Sequence, residues 1–178
     1  MGFNDDLELG KKFELVFFEN ELITENEIYQ SEGLVKGWDL MTMDGKMFEV
    51  KACRRWRSTG NILVEFGCNG SRSGISTTTS ETWAFYQLGE DDKWIKVVQV
   101  PTTTLKKMIE NKCYSHVIFG ASRKMSDFYL FKESLLLSNK YKENVKISVN
   151  PDYQRILRAW KLALVGSSVL PMPLDLFK

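Results

Sequence analysis

Residues 37–64 read GWDLMTMDGKMFEVKACRRWRSTGNILV. Hydrophobic runs on either side of Asp44-Gly45 predict a β-hairpin, with a second strand at about 45–54 and a third at about 61–66. Asp39 ends or interrupts the first strand, while Glu49 and Lys51 lie two apart on the second. Side chains two apart on a strand share one face. We therefore predict two carboxylates and an ammonium close together, which are the groups needed to hold a divalent cation against a phosphodiester.

Length and composition set the class of protein. The chain has 178 residues, 43% of them hydrophobic and 26% charged, which suits one globular domain over residues 1–178. The three cysteines are an odd number without CxxC spacing, and Asp5 and Asp6 stand where a signal peptide would carry positive charge. We expect a soluble protein of a reducing, cytoplasmic compartment, since no apolar run approaches the ~20 residues of a membrane span.

Several function classes lack the residues that they require. A single histidine, His116, rules out a histidine-rich zinc site and a paired-histidine ribonuclease centre. His116 lies in an apolar run, so we interpret it as a structural residue. The sequence contains no GxxxxGK[ST] or GxGxxG loop, which leaves nucleotide hydrolysis and dinucleotide binding without support. The net charge of +1 means that any affinity for nucleic acid must come from local clusters of cations.

An N-terminal helix is predicted from Asp5 to about Leu22. Its apolar stripe consists of Leu9, Phe13, Val16 and Phe17. Glu14 lies beside this stripe, and a carboxylate there needs a partner. It is either paired with a cation at the margin of the core or is a third carboxylate directed at the metal site.

A basic loop follows the second strand. Arg54, Arg55 and Arg57 surround Trp56, and these cations would supply salt-dependent contacts to phosphates while the indole stacks on an unpaired base. The alternative is a solvated turn with Trp56 packed beneath it. The sequence alone leaves both interpretations open.

A segment rich in glycine, serine and threonine spans residues 67–80 (GCNGSRSGISTTTS). Glycine turns and hydroxyl side chains suit phosphate oxygens, and Arg72 and Ser73 are its candidate contacts. A plain surface loop is the alternative. We also predict a short helix at Thr78 to Trp83.

The remaining chain predicts further strands and helices. Residues 83–87 and 94–100 read as a hairpin, residues 101–111 as a helix, and residues 127–131 as a strand. A final helix is expected at 151–165, followed by an apolar tail. We interpret residues 120–178 as a C-terminal extension packed on the domain.

Three features together resemble the PD-(D/E)XK nuclease superfamily. They are Asp39, the run Glu49-Val50-Lys51 ten residues later, and Glu14 in the helical pattern that starts at Gly10. TGNILVEF, SGISTTTSETW and PTTTLKKMI extend the similarity to phage-type members, and the first helix is similar to that of Holliday-junction resolvases. The resemblance covers about residues 8–110. One departure is Trp38, where the motif has proline.

The resemblance implies an α/β (α+β) fold with a restriction-endonuclease-like mixed sheet, and an Mg²⁺- or Mn²⁺-dependent endonuclease that hydrolyses DNA phosphodiester bonds. Asp39 and Glu49 would hold the metal, the carbonyl of Val50 would add a ligand, and Glu14 would complete the set. Lys51 would position or deprotonate the attacking water. A catalytically idle nuclease fold that binds nucleic acid or supports an assembly is the alternative. DNA or RNA, junction, duplex or end specificity all stay open, and we favour a homodimer because cutting both strands calls for two sites.

Overall fold

The computed structural model describes residues 3–22, 28–30, 37–121 and 125–155. These residues form an α+β protein with two β-sheets and a few helices. Its helices are α1 (Phe3–Glu21), α2 (Trp56–Thr59), α3 (Thr102–Glu110) and α4 (Glu133–Leu136), with short 3₁₀ helices at Gly74–Ser76, Glu90–Asp92 and Lys142–Asn144. Its strands are β1 (Ile28–Gln30), β2 (Leu40–Thr42), β3 (Met47–Cys53), β4 (Asn61–Cys68), β5 (Ser71–Arg72), β6 (Thr82–Leu88), β7 (Trp94–Pro101), β8 (His116–Ala121), β9 (Ser126–Lys132) and β10 (Lys146–Val149).

The larger sheet is mixed and carries six strands in the order β1-β2-β3-β6-β7-β10. Strands β3 and β6 run parallel, and the other neighbours in this sheet are antiparallel. The smaller sheet is antiparallel, with the order β5-β4-β9-β8. The chain between β3 and β6 thus leaves the larger sheet to build β4 and β5 before it returns.

Helix α1 covers one face of the larger sheet. Phe13 and Phe17 are fully buried there against Phe48 and Val50 of β3 and against Tyr86. The helix forms because these aromatic residues recur about one turn apart, which directs them to one side. Burial of each such side chain stabilises the fold by roughly 1.5–3 kcal/mol.

The opposite face of the larger sheet packs on the smaller sheet and on α3. Trp83 and Phe85 of β6 meet Ile62 and Val64 of β4, with Leu105 of α3 in the same cluster. Strand β6 is therefore buried on both faces, which explains its continuous run of apolar residues. Because Glu49 and Lys51 are paired in register with Trp83 and Phe85, they belong to this second face.

The β2–β3 hairpin turns where the sequence predicted it. Gly45 has a φ of +85°, a left-handed conformation that favours glycine, and its N–H donates to the carbonyl of Thr42. The Thr42 hydroxyl lies 2.5 Å from Asp44 Oδ1 and closes the turn from the side. Asp44-Gly45 therefore fixes the register that pairs Leu40 with Phe48 and brings Asp39, just before β2, alongside Glu49 and Val50.

Several predicted elements are confirmed. They are α1, the hairpin of β6 and β7, helix α3, and the strand at β9. The packing of α1 and α3 on opposite faces of the mixed sheet also agrees with the prediction. Of the helix predicted at 151–165, residues 151–155 are helical. Its remainder and the apolar tail lie outside the described residues.

Other predictions were wrong in detail. Asp39 precedes β2 instead of ending a strand. The strand predicted at about 61–66 is itself confirmed as β4, which lies in the smaller sheet. The helix predicted at Thr78 to Trp83 is absent: a turn and the start of β6 occupy these positions. Residues 126–149 are not an addition packed on a finished domain, because β9 pairs with β4 and β10 pairs with β7. None of the described helices is long and apolar enough to cross a membrane.

Candidate active site

Asp39, Glu49 and Lys51 meet at the β2–β3 end of the larger sheet. The ammonium of Lys51 lies 2.6 Å from Glu49 Oε1 and 3.6 Å from Asp39 Oδ2. The side chains of Glu49 and Asp39 are 12% and 20% exposed, while that of Lys51 is 43% exposed. Two nearly buried carboxylates thus converge on one cation that solvent can still reach.

Backbone pairing holds Asp39 in place. Its N–H donates to the carbonyl of Phe48 at 2.8 Å, and its carboxylate Oδ2 accepts the N–H of Val50 at 2.7 Å. Asp39 therefore continues the β2–β3 pairing by one residue, with its side chain in place of a backbone acceptor. Because Val50 lies between Glu49 and Lys51 in β3, this contact places the Asp39 carboxylate next to both of them.

Burial and charge act against each other at this site. Burial raises the pKa of Glu49, and the ammonium of Lys51 only partly offsets that effect. For Lys51, burial disfavours the ammonium, but Glu49 and Asp39 overcome it and raise the pKa of the amine. The amine is accordingly charged over the neutral range, where it can donate hydrogen bonds and offset negative charge.

Glu14 reaches the neighbourhood of the site from α1. Its carboxylate Oε2 accepts a hydrogen bond from Gln30 Nε2 of β1 at 2.6 Å. Burial raises the pKa of Glu14; the Gln30 hydrogen bond opposes this, and the nearby charge of Asp39 adds to it. The described partner of Glu14 is thus the neutral amide of Gln30 and not the cation that a simple ion pair would require. The charges of Asp39 and Lys51 also act on its carboxylate.

Glu65 of β4 is a further carboxylate that the sequence interpretation did not single out. Its charge acts on both Glu49 and Lys51, and its Oε1 accepts the hydroxyl hydrogen bond of Ser73 at 2.7 Å. Gly74 allows this approach: a Cβ there would lie 2.2 Å from the Glu65 carbonyl oxygen. The signal for Glu65 lay in the run TGNILVEF, but the sequence does not indicate which strands β4 pairs or packs with.

The donor chemistry of the site fits a hard divalent cation. Asp39 and Glu49 offer carboxylate oxygens, which Mg²⁺ and Mn²⁺ prefer, while Glu14 and Glu65 interact electrostatically with this pair. Asp39 and Glu49 already direct oxygens at one shared cation, the ammonium of Lys51. Among the described residues, no three side chains of the His, Cys, Asp and Glu types lie close enough together to hold a metal ion between them.

The Arg54 guanidinium forms an ion pair with Asp92. Its Nε and Nη2 lie 2.6 and 2.7 Å from the two carboxylate oxygens of Asp92, in the turn between β6 and β7. A bidentate pair of this kind fixes the guanidinium plane. The hydrogen bonds to Asp92 raise the pKa of Arg54, and the same contacts lower the pKa of Asp92. The predicted phosphate contact by Arg54 would therefore have to displace an existing carboxylate.

Trp56 does not offer a stacking surface, so that prediction was wrong. Its side chain is 0% exposed, and its indole N–H donates to Glu133 Oε2 at 3.0 Å. The Lys96 ammonium lies 5.4 Å from the indole ring centroid and also pairs with Glu133. The alternative interpretation, with Trp56 packed beneath the loop, describes this arrangement, and the buried indole anchors α2 in the core.

The other predicted nucleic-acid contacts differ in exposure. Arg55 is exposed and Arg57 is half-buried. Arg72 on β5 is exposed, and its Nη2 donates to the Ser76 carbonyl at 2.9 Å. Ser73 is half-buried and serves Glu65. Arg55 and Arg72 are thus the two cations of the predicted set that combine solvent exposure with no described carboxylate partner.

Searches of protein-family models and of curated proteins found no match for the chain.

Proposed function

We propose that this protein is a divalent-cation-dependent endonuclease of the PD-(D/E)XK type, acting on DNA. One observation carries the proposal: Asp39, just before β2, and Glu49, in the neighbouring β3, direct carboxylate oxygens at a single cationic point, the Lys51 ammonium. Metal-dependent phosphodiester hydrolysis uses this combination, with oxygen ligands for a metal and a cation beside them. The restriction-endonuclease-like form of the fold belongs to the same proposal.

Mg²⁺ or Mn²⁺ would be held by Asp39 and Glu49, with the Val50 carbonyl and Glu14 as further oxygen donors. When bound, such an ion supplies Lewis-acid activation of water and stabilisation of the phosphoryl charge. The protein's own contribution starts from the backbone contact between Val50 and Asp39, which holds one carboxylate oxygen in place. Burial of Glu49 excludes water from the other carboxylate, which strengthens its interaction with a cation.

Lys51 contributes a mobile positive charge beside the reacting phosphate. Its side chain is 43% exposed, so a phosphate oxygen can reach the ammonium that the carboxylates hold. Its N–H groups would donate to the phosphate oxygens or to the attacking water, and they would offset charge as the pentavalent phosphorane forms. Glu65, fixed by Ser73, acts through Lys51 and Glu49 and is a positioning residue.

A second candidate function is a catalytically idle nuclease fold that binds nucleic acid or supports an assembly. The specific observation in its favour is that Lys51 already satisfies both Asp39 and Glu49 as ion-pair partners. Against it, the cluster buries two carboxylates at a cost that a redundant site has no reason to retain.

We also propose that the chain works as a homodimer. Cleavage of both strands of a duplex, or of a symmetric junction, calls for two centres related by a two-fold axis. Sedimentation of the free protein tests this part separately, and a monomer would limit the chain to nicking or to cleavage of single strands.

Incubation with a nucleic-acid panel tests the function. Supercoiled, linear, single-stranded and four-way-junction DNA, together with RNA, are treated with Mg²⁺, Mn²⁺ or EDTA. We expect cleavage of DNA with either metal and none in EDTA. Lys51→Ala is the matched control, because a contaminating nuclease would retain activity in that preparation. Absence of cleavage on every substrate, with intact binding, would favour the idle fold.

A further inference from the structure

Four aromatic side chains form a row across the smaller sheet, namely Tyr114, Tyr129, Phe66 and Phe119. Neighbouring ring centroids are 4.9 Å apart for Tyr114 and Tyr129, 4.4 Å for Tyr129 and Phe66, and 6.0 Å for Phe66 and Phe119. Three of these rings, Phe66, Tyr114 and Tyr129, are half-buried and pack with one side against the core, whereas Phe119 is 73% exposed. An exposed phenylalanine at the end of an ordered aromatic row is a surface that lacks a described partner.

One ring of the row, Phe66, is next in sequence to a residue that acts on the candidate active site. Phe66 follows Glu65 directly in β4, and the register of β4 and β9 shifts between Glu65 and Gly67. Such a β-bulge changes the direction of side chains, and bulges are frequent next to active sites. Here Glu65 acts on Glu49 and Lys51 while Phe66 contacts Phe119 and Tyr129. The aromatic row is thus joined to the proposed centre through one peptide bond.

Cations lie beside Phe66 and at the Tyr114 end of the row. Arg72 is exposed on β5, where it is paired in register with Gly67, next to Phe66. Tyr114 itself lines a cavity of about 470 Å³ together with Lys112, Lys132 and the hydroxyl-bearing Ser115. That volume lies within the ~300–1,000 Å³ of pockets that take small ligands. Aromatic rings flanked by cations and hydroxyl groups match the two halves of a nucleotide, its base and its phosphate.

A side chain of β9 holds the backbone next to Phe119. Gly120 has a φ of +61°, and its N–H donates to Asp127 Oδ1 at 2.9 Å. This contact fixes the position of Phe119 relative to Phe66 before any ligand arrives. A pre-organised ring loses less entropy when a base stacks on it.

We propose that the aromatic row binds the unpaired bases of a single-stranded DNA segment beside the candidate active site. The inference rests on the proposed function for the identity of the ligand as DNA. It adds a substrate class, because a continuous duplex keeps its bases stacked on one another and cannot offer them to the row. A junction, a flap or a single-stranded stretch can do so.

Oligonucleotide binding in EDTA tests the row without any cleavage. The full chain is titrated into labelled oligothymidylate of about 16 nucleotides, a length within the usual range of single-strand sites, and fluorescence anisotropy is measured. A duplex of equal length is the second ligand. We expect tighter binding of the single strand, and Phe119→Ala should weaken it by about tenfold or more, as expected for loss of one stacked base.

Two further variants make the result specific. Phe119→Leu keeps an apolar side chain without a ring, so it should bind the single strand as weakly as Phe119→Ala. Ile147→Ala removes an exposed apolar side chain on β10, in the other sheet, and should bind as the wild type does. Circular dichroism and thermal melting establish that each variant is folded.

The proposal is overturned if Phe119→Ala or Phe119→Leu binds the single strand as tightly as the wild type. It is also overturned if Phe119→Ala leaves binding unchanged and alters the melting temperature or the sedimentation of the free protein, since the row would then be covered by residues 156–178 or by a second copy. Failure of the proposed function is recognised separately. A chain without metal-dependent cleavage would still show this binding pattern in EDTA.

Discussion

Strand β3 and the basic loop that follows it are adjacent in sequence, yet they use their charged residues in different ways. Glu49 and Lys51 pair with each other and with Asp39 at a site that solvent reaches. Three residues later, Arg54 is locked to Asp92, and Trp56 is buried. The first region is the reactive centre of the proposed function, whereas Arg54 and Trp56 of the second fasten the loop to the body of the protein.

The difference arises from how strongly local sequence fixes side-chain direction. On a strand, the period of two places Glu49 and Lys51 on one face whatever the rest of the chain does. In a loop, composition reports which groups are present but not whether they face solvent. Asp92 and Glu133, which engage Arg54 and Trp56, are 38 and 77 residues away in the sequence. A cluster of cations therefore predicts a nucleic-acid surface less securely than a pair of charges on a strand.

Replacement of the buried indole should have the largest effect on stability. Trp56→Ala leaves a cavity in the core and strands the Glu133 carboxylate without its indole donor. We expect a loss of about 3–5 kcal/mol in the free energy of unfolding, measured by urea denaturation. Trp56→Phe, which keeps most of the volume, is the control and should lose less. If Trp56→Ala lost DNA binding at unchanged stability, the indole would have the stacking role after all. The basic loop would then no longer differ from strand β3 in the way described.

A divalent ion should stabilise the strand region, and more strongly at high pH. At an Mn²⁺ concentration a hundredfold above Kd, binding adds about 2.7 kcal/mol, or very roughly 5–10 °C in Tm for a chain of this size. Burial raises the pKa of Glu14 and Glu49 above their ordinary value of 4.5. Protons therefore compete with the ion as the pH falls, and the shift in Tm should be larger at pH 8 than at pH 5.

Without metal, the pH dependence of these two glutamates' contribution to stability has the opposite sign: the contribution falls as the pH rises. Because the folded-state pKa of these two glutamates is raised, their contribution to stability is complete below about 4.5 and is lost as the pH rises through the raised values. Glu14→Gln should accordingly raise Tm at pH 8 while it reduces the added effect of Mn²⁺. Asp39→Asn is the matched control for ion binding. An equal Mn²⁺ shift in Asp39→Asn and wild type would mean that the ion binds elsewhere.

The smallest predicted effects concern two neighbouring arginines, Arg54 and Arg55, whose replacement should affect DNA binding differently. Arg54→Ala removes a partly exposed ion pair, which is worth at most about 1 kcal/mol, and should leave the salt dependence of DNA binding unchanged. Arg55→Ala removes an exposed cation and should reduce the slope of log K against log salt by about 0.9 if it contacts one duplex phosphate. Titrations at several salt concentrations measure both slopes. A reduced slope for Arg54→Ala and not for Arg55→Ala would reverse this assignment.

Local pattern was enough to predict much of the larger sheet and both flanking helices. The stripe of Phe13 and Phe17 predicted α1, and Asp44-Gly45 predicted the turn that sets the register of β2 and β3. The mixed character of the sheet was also predicted and is confirmed. These features depend on contacts between residues close in sequence or on a simple period.

The second sheet could not be predicted in this way. Strand β4 has the composition of any buried strand, and its partner β9 begins 58 residues after the end of β4, as the contact between Cys68 and Ser126 shows. For the same reason Glu65 was not assigned to the site, although the run TGNILVEF contains it. Its approach to Lys51 exists only when the two sheets are packed together.

The central claim is that Asp39 and Glu49 hold a divalent ion while Lys51 serves the reacting phosphate. It is tested most directly by one paired measurement on Lys51→Ala, namely Mn²⁺ binding by calorimetry and single-turnover cleavage of DNA. We predict that the variant still binds Mn²⁺ and that its cleavage rate falls by at least about 100-fold, the usual cost of removing a transition-state donor. Cleavage by Lys51→Ala at the wild-type rate would contradict the account.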